Sequence, residues 1–272
     1  MPIYITDLPF FSDHDGIFST DTNSASTYGR YETENPAVLS CTGRLLPRDI
    51  SVSFPALFLL DEENYDPETS RLHSLFQELN SQGYAVFHFQ ISRQDNEEMF
   101  SDFEQLVQDL AEQYPHMDPD RLYIGGFGRA VSAMLYVTGH TKIFRGAFSL
   151  NAFTNITTAY GNYENSHRDF INSGFSDFKS WLYAKAEKCP LQFLDTNTTP
   201  YLILHGHRDY ICPEEQSEEL FSAIKDRTPE VPCRMLIFPN ENHNILKVGH
   251  TTYQETITRE ILDWFTRFGQ QS

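Results

Sequence analysis

The stretch RLYIGGFGRA, residues 121–130, decides how this sequence is interpreted. It begins as an apolar strand pattern, ends on glycines, and runs directly into a helical pattern at residues 130–140. A sharp strand-to-helix turn with small flanking residues, written G-x-S-x-G, presents a reactive serine. Gly126 and Ala130 supply the small flanks, but position 128 is glycine. The sequence therefore predicts the turn without its hydroxyl group.

Strand and helix patterns alternate on both sides of this turn. Apolar runs of buried-strand length occur at residues 54–60, 84–90, 144–150, 201–207 and 233–239. Amphipathic helical patterns accompany them at residues 69–83, 96–114, 213–227 and 252–268. This alternation predicts a mostly parallel twisted sheet with helices on both faces, which is an α/β fold.

The domain organisation follows from the length and from one interruption of the pattern. A chain of 272 residues suits one large α/β domain, so we expect residues 1–272 to form a single domain. Residues 151–199 are a long aromatic and polar insertion, which favours a cap or a partner surface. Short antiparallel strands such as AVLSCTGRLLP, residues 37–47, are expected before the alternation begins.

The composition argues against several kinds of partner. The formal net charge of −18, from 38 acidic and 20 basic residues, disfavours binding to nucleic acid or to an anionic membrane. No apolar run reaches membrane-spanning length, and residues 1–16 have neither a basic start nor the apolar core of a secretion signal, so we expect a cytoplasmic protein. The four cysteines form no C-x-x-C pair, which favours free thiols over a zinc site or disulfides. No cofactor is expected.

Two further strand ends carry ionisable residues. The strand at residues 201–207 is followed by Asp209, and the strand at residues 233–239 is followed by a turn that contains His243. Open α/β sheets place their sites just beyond the carboxyl ends of their strands. There a carboxylate can orient an imidazole, and the imidazole can act as a general base. The order of turn, acid and histidine is that of the α/β-hydrolase triad.

These segments together resemble the catalytic domain of the prolyl oligopeptidase family of serine hydrolases, from about residue 37 onward. DPDRLYIGGFG, residues 118–128, is similar to the family's approach to its nucleophile turn. YLILHGHRDYICPEEQSEEL, residues 201–220, is similar to the acid segment, and FPNENHNI, residues 238–245, to the histidine turn. The resemblance implies an α/β-hydrolase fold with the nucleophile at position 128, the acid at Asp209 and the base at His243.

The sequence departs from that family at two separate places. Gly128 has no oxygen with which to attack a carbonyl. After the strand at 54–60 the family usually carries a glycine-rich or tyrosine-bearing stretch that binds the developing negative charge, whereas this chain has Asp61, Glu62 and Glu63. Carboxylates at that position would repel an oxyanion. Arg129 also replaces a small residue of the family pattern.

Two separated defects indicate a natural loss of activity. The family's peptidases also use a β-propeller, which we do not find in this sequence. We therefore expect a pseudoenzyme that binds a small-molecule ligand or a partner protein in the former active-site cleft. The aromatic residues of the 151–199 insertion, or the C-terminal helix, favour a homodimer or partner contact.

The alternative is a functioning hydrolase of the esterase or peptidase type. In that case His243 activates a water molecule in the space left by Gly128, or a non-standard nucleophile acts with Asp209 and His243. Ser132, one helical turn beyond Gly128, and Cys212, three residues past Asp209, are the candidate nucleophiles.

Two other interpretations concern the histidines and the acid. His205, His207 and Asp209 form an H-x-H-x-D run of the kind that binds metals, but a histidine at the end of a buried strand is more often a hydrogen-bonded core residue, so no metal is expected. Asp209 and His243 can also be interpreted as structural residues. In that case they form a buried hydrogen-bonded pair, and removing one of them would leave the other with an unsatisfied polar group.

Overall fold

The computed structural model describes residues 40–62, 72–91, 103–155, 158, 170–186 and 189–269. The elements are, in chain order, β1 (Ser40–Leu45), β2 (Phe54–Asp61), α1 (His73–Ser81), β3 (Ala85–Gln90), α2 (Phe103–Gln113), β4 (Met117–Phe127), α3 (Ala130–His140), β5 (Gly146–Leu150), α4 (Phe178–Ala186), a 3-10 helix (Pro190–Thr196), β6 (Tyr201–Gly206), α5 (Glu215–Arg227), β7 (Cys233–Phe238), α6 (Ile245–Val248) and α7 (Thr251–Gly269).

The described strands form one sheet of seven in the order β1-β3-β2-β4-β5-β6-β7. β1 pairs antiparallel with β3, and the remaining pairs are parallel. The central strands are buried along their length because helices cover both faces. The predicted α/β fold is confirmed, and it brings the carboxyl ends of β4, β5, β6 and β7 to one edge.

Alternate residues along each strand face opposite helical layers. Phe58 of β2 belongs to a core cluster that includes Leu106 of α2 and Met134 of α3. Its neighbour Leu59 belongs to a second cluster that includes Phe76 of α1. This division follows from the two-residue period of a strand, since successive side chains point to opposite faces. The apolar runs that form β2 and β6 are therefore buried on both sides, whereas most residues of β7 are only half-buried.

The end of the predicted insertion is part of the core. Leu191 and Leu194 of the 3-10 helix are buried in the same cluster as α3. Phe193 packs edge-on against Tyr136 of α3, with ring centroids 4.9 Å apart. Of the earlier part of the segment, residues 170–186 are described, while Tyr160 and Tyr163 lie outside the described residues.

Of the helices that the structure describes, none is both long enough and apolar enough to span a bilayer.

Candidate active site

The turn between β4 and α3 has the backbone geometry of a nucleophile elbow. Gly128 adopts a left-handed conformation with φ of +50°, a region that residues with a side chain seldom occupy. Its N–H donates to the carbonyl of Leu150 at 3.0 Å, and its carbonyl accepts the N–H of Phe153 at 2.9 Å. The elbow is thus fixed to the segment that follows β5.

Small residues before the elbow allow α3 to pack closely on the sheet. A Cβ atom at Gly126 would lie 3.1 Å from the Cα of Val131, which is backbone and cannot easily move. A Cβ atom at Gly125 would collide with the ring of Phe148. These contacts explain why the strand ends on glycines, as the G-x-S-x-G pattern requires.

His243 stands opposite the elbow. A Cβ atom built on Gly128 would lie 3.3 Å from Cε1 of His243 and 3.6 Å from its Nε2. A side-chain oxygen at position 128 would therefore be within hydrogen-bonding reach of the imidazole. The structure brings the predicted base to the predicted nucleophile position, where glycine supplies no side-chain atom.

Asp209 lies on the far side of the imidazole. Its Oδ2 accepts a hydrogen bond from Nδ1–H of His243 at 2.7 Å. Its Oδ1 accepts the N–H groups of Ile211 and Cys212 at 2.8 and 2.9 Å. The carboxylate is fully buried, whereas the His243 side chain is 15% exposed. A ring that donates from Nδ1 to Asp209 can accept a hydrogen bond at Nε2, which lies on the side of position 128.

His205 lies in the core and hydrogen-bonds to the loop that carries Asp209. Its buried ring donates from Nε2–H to the Cys212 carbonyl at 2.8 Å, while the Ser217 hydroxyl donates to Nδ1 at 2.6 Å. Burial lowers the pKa of His205 below its ordinary value of 6.5, and the nearby Asp209 carboxylate opposes this only in part. The ring is therefore neutral near pH 7.

The three polar residues of the H-x-H-x-D run do not converge. His205 points to Cys212 and Ser217, whereas the exposed His207 pairs with Glu214 at 2.8 Å. Among the residues that the structure describes, no three metal-binding side chains lie close enough together to hold an ion.

Asp61, the last residue of β2, hydrogen-bonds to the backbone that follows it. Its buried carboxylate accepts the N–H of Glu62 at 2.8 Å and lies 4.0 Å from Nε2 of His88. In α/β-hydrolases the loop after the corresponding strand donates one N–H to the oxyanion. Here the first N–H after β2 is already bound to a carboxylate. The sequence analysis expects the carboxylates of Asp61, Glu62 and Glu63 to repel an oxyanion; Asp61 is buried and Glu63 lies outside the described residues.

The other candidate residues around the elbow take part in packing. The hydroxyl of Ser132 donates to the carbonyl of Phe153 at 2.9 Å, as expected of a helix residue that stabilises its surroundings. The guanidinium of Arg129 lies over the ring of Phe153, 5.5 Å from its centroid. Cys212 is buried; its backbone N–H donates to Asp209, and its carbonyl accepts a hydrogen bond from His205.

Asn151 is a site residue that the sequence interpretation missed. It follows β5 directly, and its side chain hydrogen-bonds to the backbone of Gly206, Asn242 and His243. The signal in the sequence was an asparagine immediately after a buried strand, where a left-handed backbone is tolerated.

Comparison with known proteins places this arrangement in a family. The model of the prolyl oligopeptidase family matches residues 81–271. The uncharacterized peptidase YuxL of Bacillus subtilis is 30% identical over 171 residues, which are 61% of this chain and 25% of that protein. The human acylamino-acid-releasing enzyme is 24% identical over 167 residues, 58% of this chain and 22% of that enzyme. The matched regions thus span about a quarter of these relatives.

Solved structures agree on the fold. The acylaminoacyl peptidase of Pyrococcus horikoshii superimposes with a TM-score of 0.74 at 16% identity, covering 94% of this chain and 42% of that one. Est1E from Butyrivibrio proteoclasticus gives a TM-score of 0.61 at 14% identity, covering 85% and 96%. The chain belongs to the prolyl oligopeptidase family, and its fold is that of the α/β-hydrolases.

Proposed function

We propose that this chain is a prolyl-oligopeptidase-like domain that has lost serine hydrolase activity and acts by binding a small-molecule ligand or a partner protein at the former active site. One observation carries the proposal: glycine occupies the elbow position that faces Nε2 of His243. An acyl-enzyme requires a side-chain nucleophile at that position, and glycine has none.

The oxyanion side supports the same conclusion. A tetrahedral intermediate needs hydrogen-bond donors aimed at its oxygen, and the loss of one donor costs about a hundredfold to a thousandfold in rate. The N–H of Glu62 is bound to the Asp61 carboxylate instead. Nucleophile and oxyanion donor are thus both compromised, on two different strands.

The Asp209–His243 pair has a role that needs no catalysis. Asp209 is buried and accepts three hydrogen bonds, so removing one partner would leave an unsatisfied charged group. The pair also holds Nε2 of His243, a hydrogen-bond acceptor, near the surface at the carboxyl ends of the strands. A ligand with a hydroxyl or N–H donor is the complement of that atom.

A second candidate is a hydrolase that uses activated water. The observation that favours it is the intact hydrogen bond from His243 to Asp209, with Nε2 turned toward position 128. A water molecule there would give its proton to Nε2 while its oxygen attacks an acyl carbonyl.

Hydrolysis of p-nitrophenyl acetate by the wild type and by His243→Ala separates the two candidates. We expect the two proteins to hydrolyse the ester at the same low rate, because no nucleophile depends on His243. His207→Ala is the matched control, since His207 is an exposed histidine that pairs with Glu214. Turnover that exceeds this level and disappears only in His243→Ala would overturn the binding proposal. A fluorophosphonate probe would separately report any activated serine.

We also propose a homodimer or partner contact through the segment before and within α4. Ile171, Phe175 and Tyr183 are 64%, 44% and 61% exposed there. Aromatic side chains of this kind are enriched at protein interfaces.

A further inference from the structure

Asn151 occupies a demanding position at the end of β5. It is fully buried, and its φ of +52° lies in the left-handed region. Asparagine tolerates this conformation better than most residues. Its backbone N–H donates to the carbonyl of Leu204 at 2.9 Å, which fixes it against the neighbouring strand β6.

The Asn151 side chain joins two loops that carry the site. Its Nδ2 donates to the carbonyl of His243 at 2.8 Å and to that of Asn242 at 3.3 Å. Its Oδ1 accepts the N–H of Gly206, at the end of the strand that leads to Asp209, at 2.9 Å. One planar amide thus satisfies two acceptors and one donor, which a carboxylate cannot do.

The same short segment also holds the elbow. Leu150 accepts the N–H of Gly128, and Phe153 donates to the Gly128 carbonyl. Residues 150–153 are therefore bonded both to position 128 and, through Asn151, to the backbone of His243. The distance from His243 to the elbow is set through this segment.

We propose that Asn151 is the positioning residue that holds the His243 imidazole over position 128. The Asp209 hydrogen bond orients the ring about its side-chain torsions, whereas Asn151 fixes the backbone from which the ring extends. The inference rests on the proposed function only in taking His243 as the functional group of the site. It holds for a binding site and for a hydrolytic site alike.

The test is proton NMR of the Nδ1–H that His243 donates to Asp209, a resonance identified by its loss in His243→Gln. Asn151→Asp keeps the shape and the acceptor but removes both donors, and Asn151→Gly keeps the left-handed backbone but removes the side chain. The control is Asn197→Asp, because Asn197 is also a buried asparagine that bonds to backbone, at Thr199 and away from His243.

We expect the resonance to disappear in both Asn151 variants and to persist in Asn197→Asp at the same temperature below the melting transition. A purely structural role would lower Tm in all three and leave the resonance in place. Folded Asn151 variants with an unchanged resonance would overturn the proposal. Failure of both Asn151 variants to fold would also overturn it, since it would assign Asn151 to the core. Because no substrate is used, the result is independent of whether the site binds or hydrolyses.

Discussion

Gly128 keeps the left-handed backbone of a nucleophile elbow although it has no side chain to present. A residue with a Cβ atom pays about 1–2 kcal/mol in this conformation, and such strain persists where function requires it. Glycine adopts the conformation freely. The surrounding hydrogen bonds to Leu150 and Phe153 still hold the turn in the shape that a catalytic residue would need.

His205 makes stability depend on pH. Its pKa is lowered by burial in the folded chain, so below the ordinary value of 6.5 the unfolded chain binds a proton that the folded chain does not. The free energy of unfolding should therefore fall as the pH drops below about 6.5, by up to about 1.4 kcal/mol for each pH unit. Urea unfolding at a series of pH values between neutral and mildly acidic measures this.

The matched pair for this prediction is His205→Gln and His207→Gln. Glutamine retains a donor for the Cys212 carbonyl and an acceptor for the Ser217 hydroxyl but does not titrate. We expect His205→Gln to flatten the acid loss of stability and His207→Gln, on the surface, to preserve it. An equal acid loss in wild type and His205→Gln would contradict the assignment.

At the level of elements, the hydrophobic pattern predicted the positions of the buried strands, but it did not predict where a strand with polar residues at its end begins. β4 begins at Met117, four residues before Arg121, because Met117 pairs with Phe54 of β2; the register is irregular over the residues that follow, and pairing resumes at Leu122. Pattern reasoning also placed Asp209 and His243 at strand ends. It did not identify Asn151, because an asparagine after a strand does not reveal that its side chain bonds to His243, 92 residues away. It also did not identify the turn at Asp61, where a side chain binds the next N–H.

Helix α4 and the segment before it carry the proposed homodimer or partner contact. Trp181 anchors it, buried against the rings of Phe170 and Phe178, while Phe175 and Tyr183 remain exposed. We expect light scattering at micromolar concentration to give the mass of a dimer, or of a complex with a co-purifying partner, and Tyr183→Asp to give a monomer. Val52→Asp is the control, because Val52 is an apolar residue that is 55% exposed and is distant from α4 in the sequence. A clean wild-type monomer without any partner would refute the contact.

In the whole molecule, the sheet order explains why distant residues meet. β4, β5, β6 and β7 are consecutive neighbours, and adjacent strands are about 4.8 Å apart, so their carboxyl ends form one continuous edge. Gly128, Asn151, Asp209 and His243 each follow one of these four strands. β2, which ends at Asp61 and is followed by Glu62, lies on the other side of β4. The end of β2 and the residues that follow β5, β6 and β7 therefore lie on opposite sides of the elbow.

We propose that the site has lost both its nucleophile and an oxyanion donor, and p-nitrophenyl acetate hydrolysis by Gly128→Ser distinguishes this double loss from loss of the nucleophile alone. Gly128→Ala is the matched control, because it introduces the same Cβ atom and the same backbone strain without the hydroxyl. We expect the activity of the serine variant to stay close to that of the alanine variant, since the Glu62 N–H remains bound to Asp61 and one missing donor lowers the rate about a hundredfold to a thousandfold. Robust hydrolysis by Gly128→Ser, well above both Gly128→Ala and the wild type, would contradict it and show a hydrolase that lacks only its nucleophile.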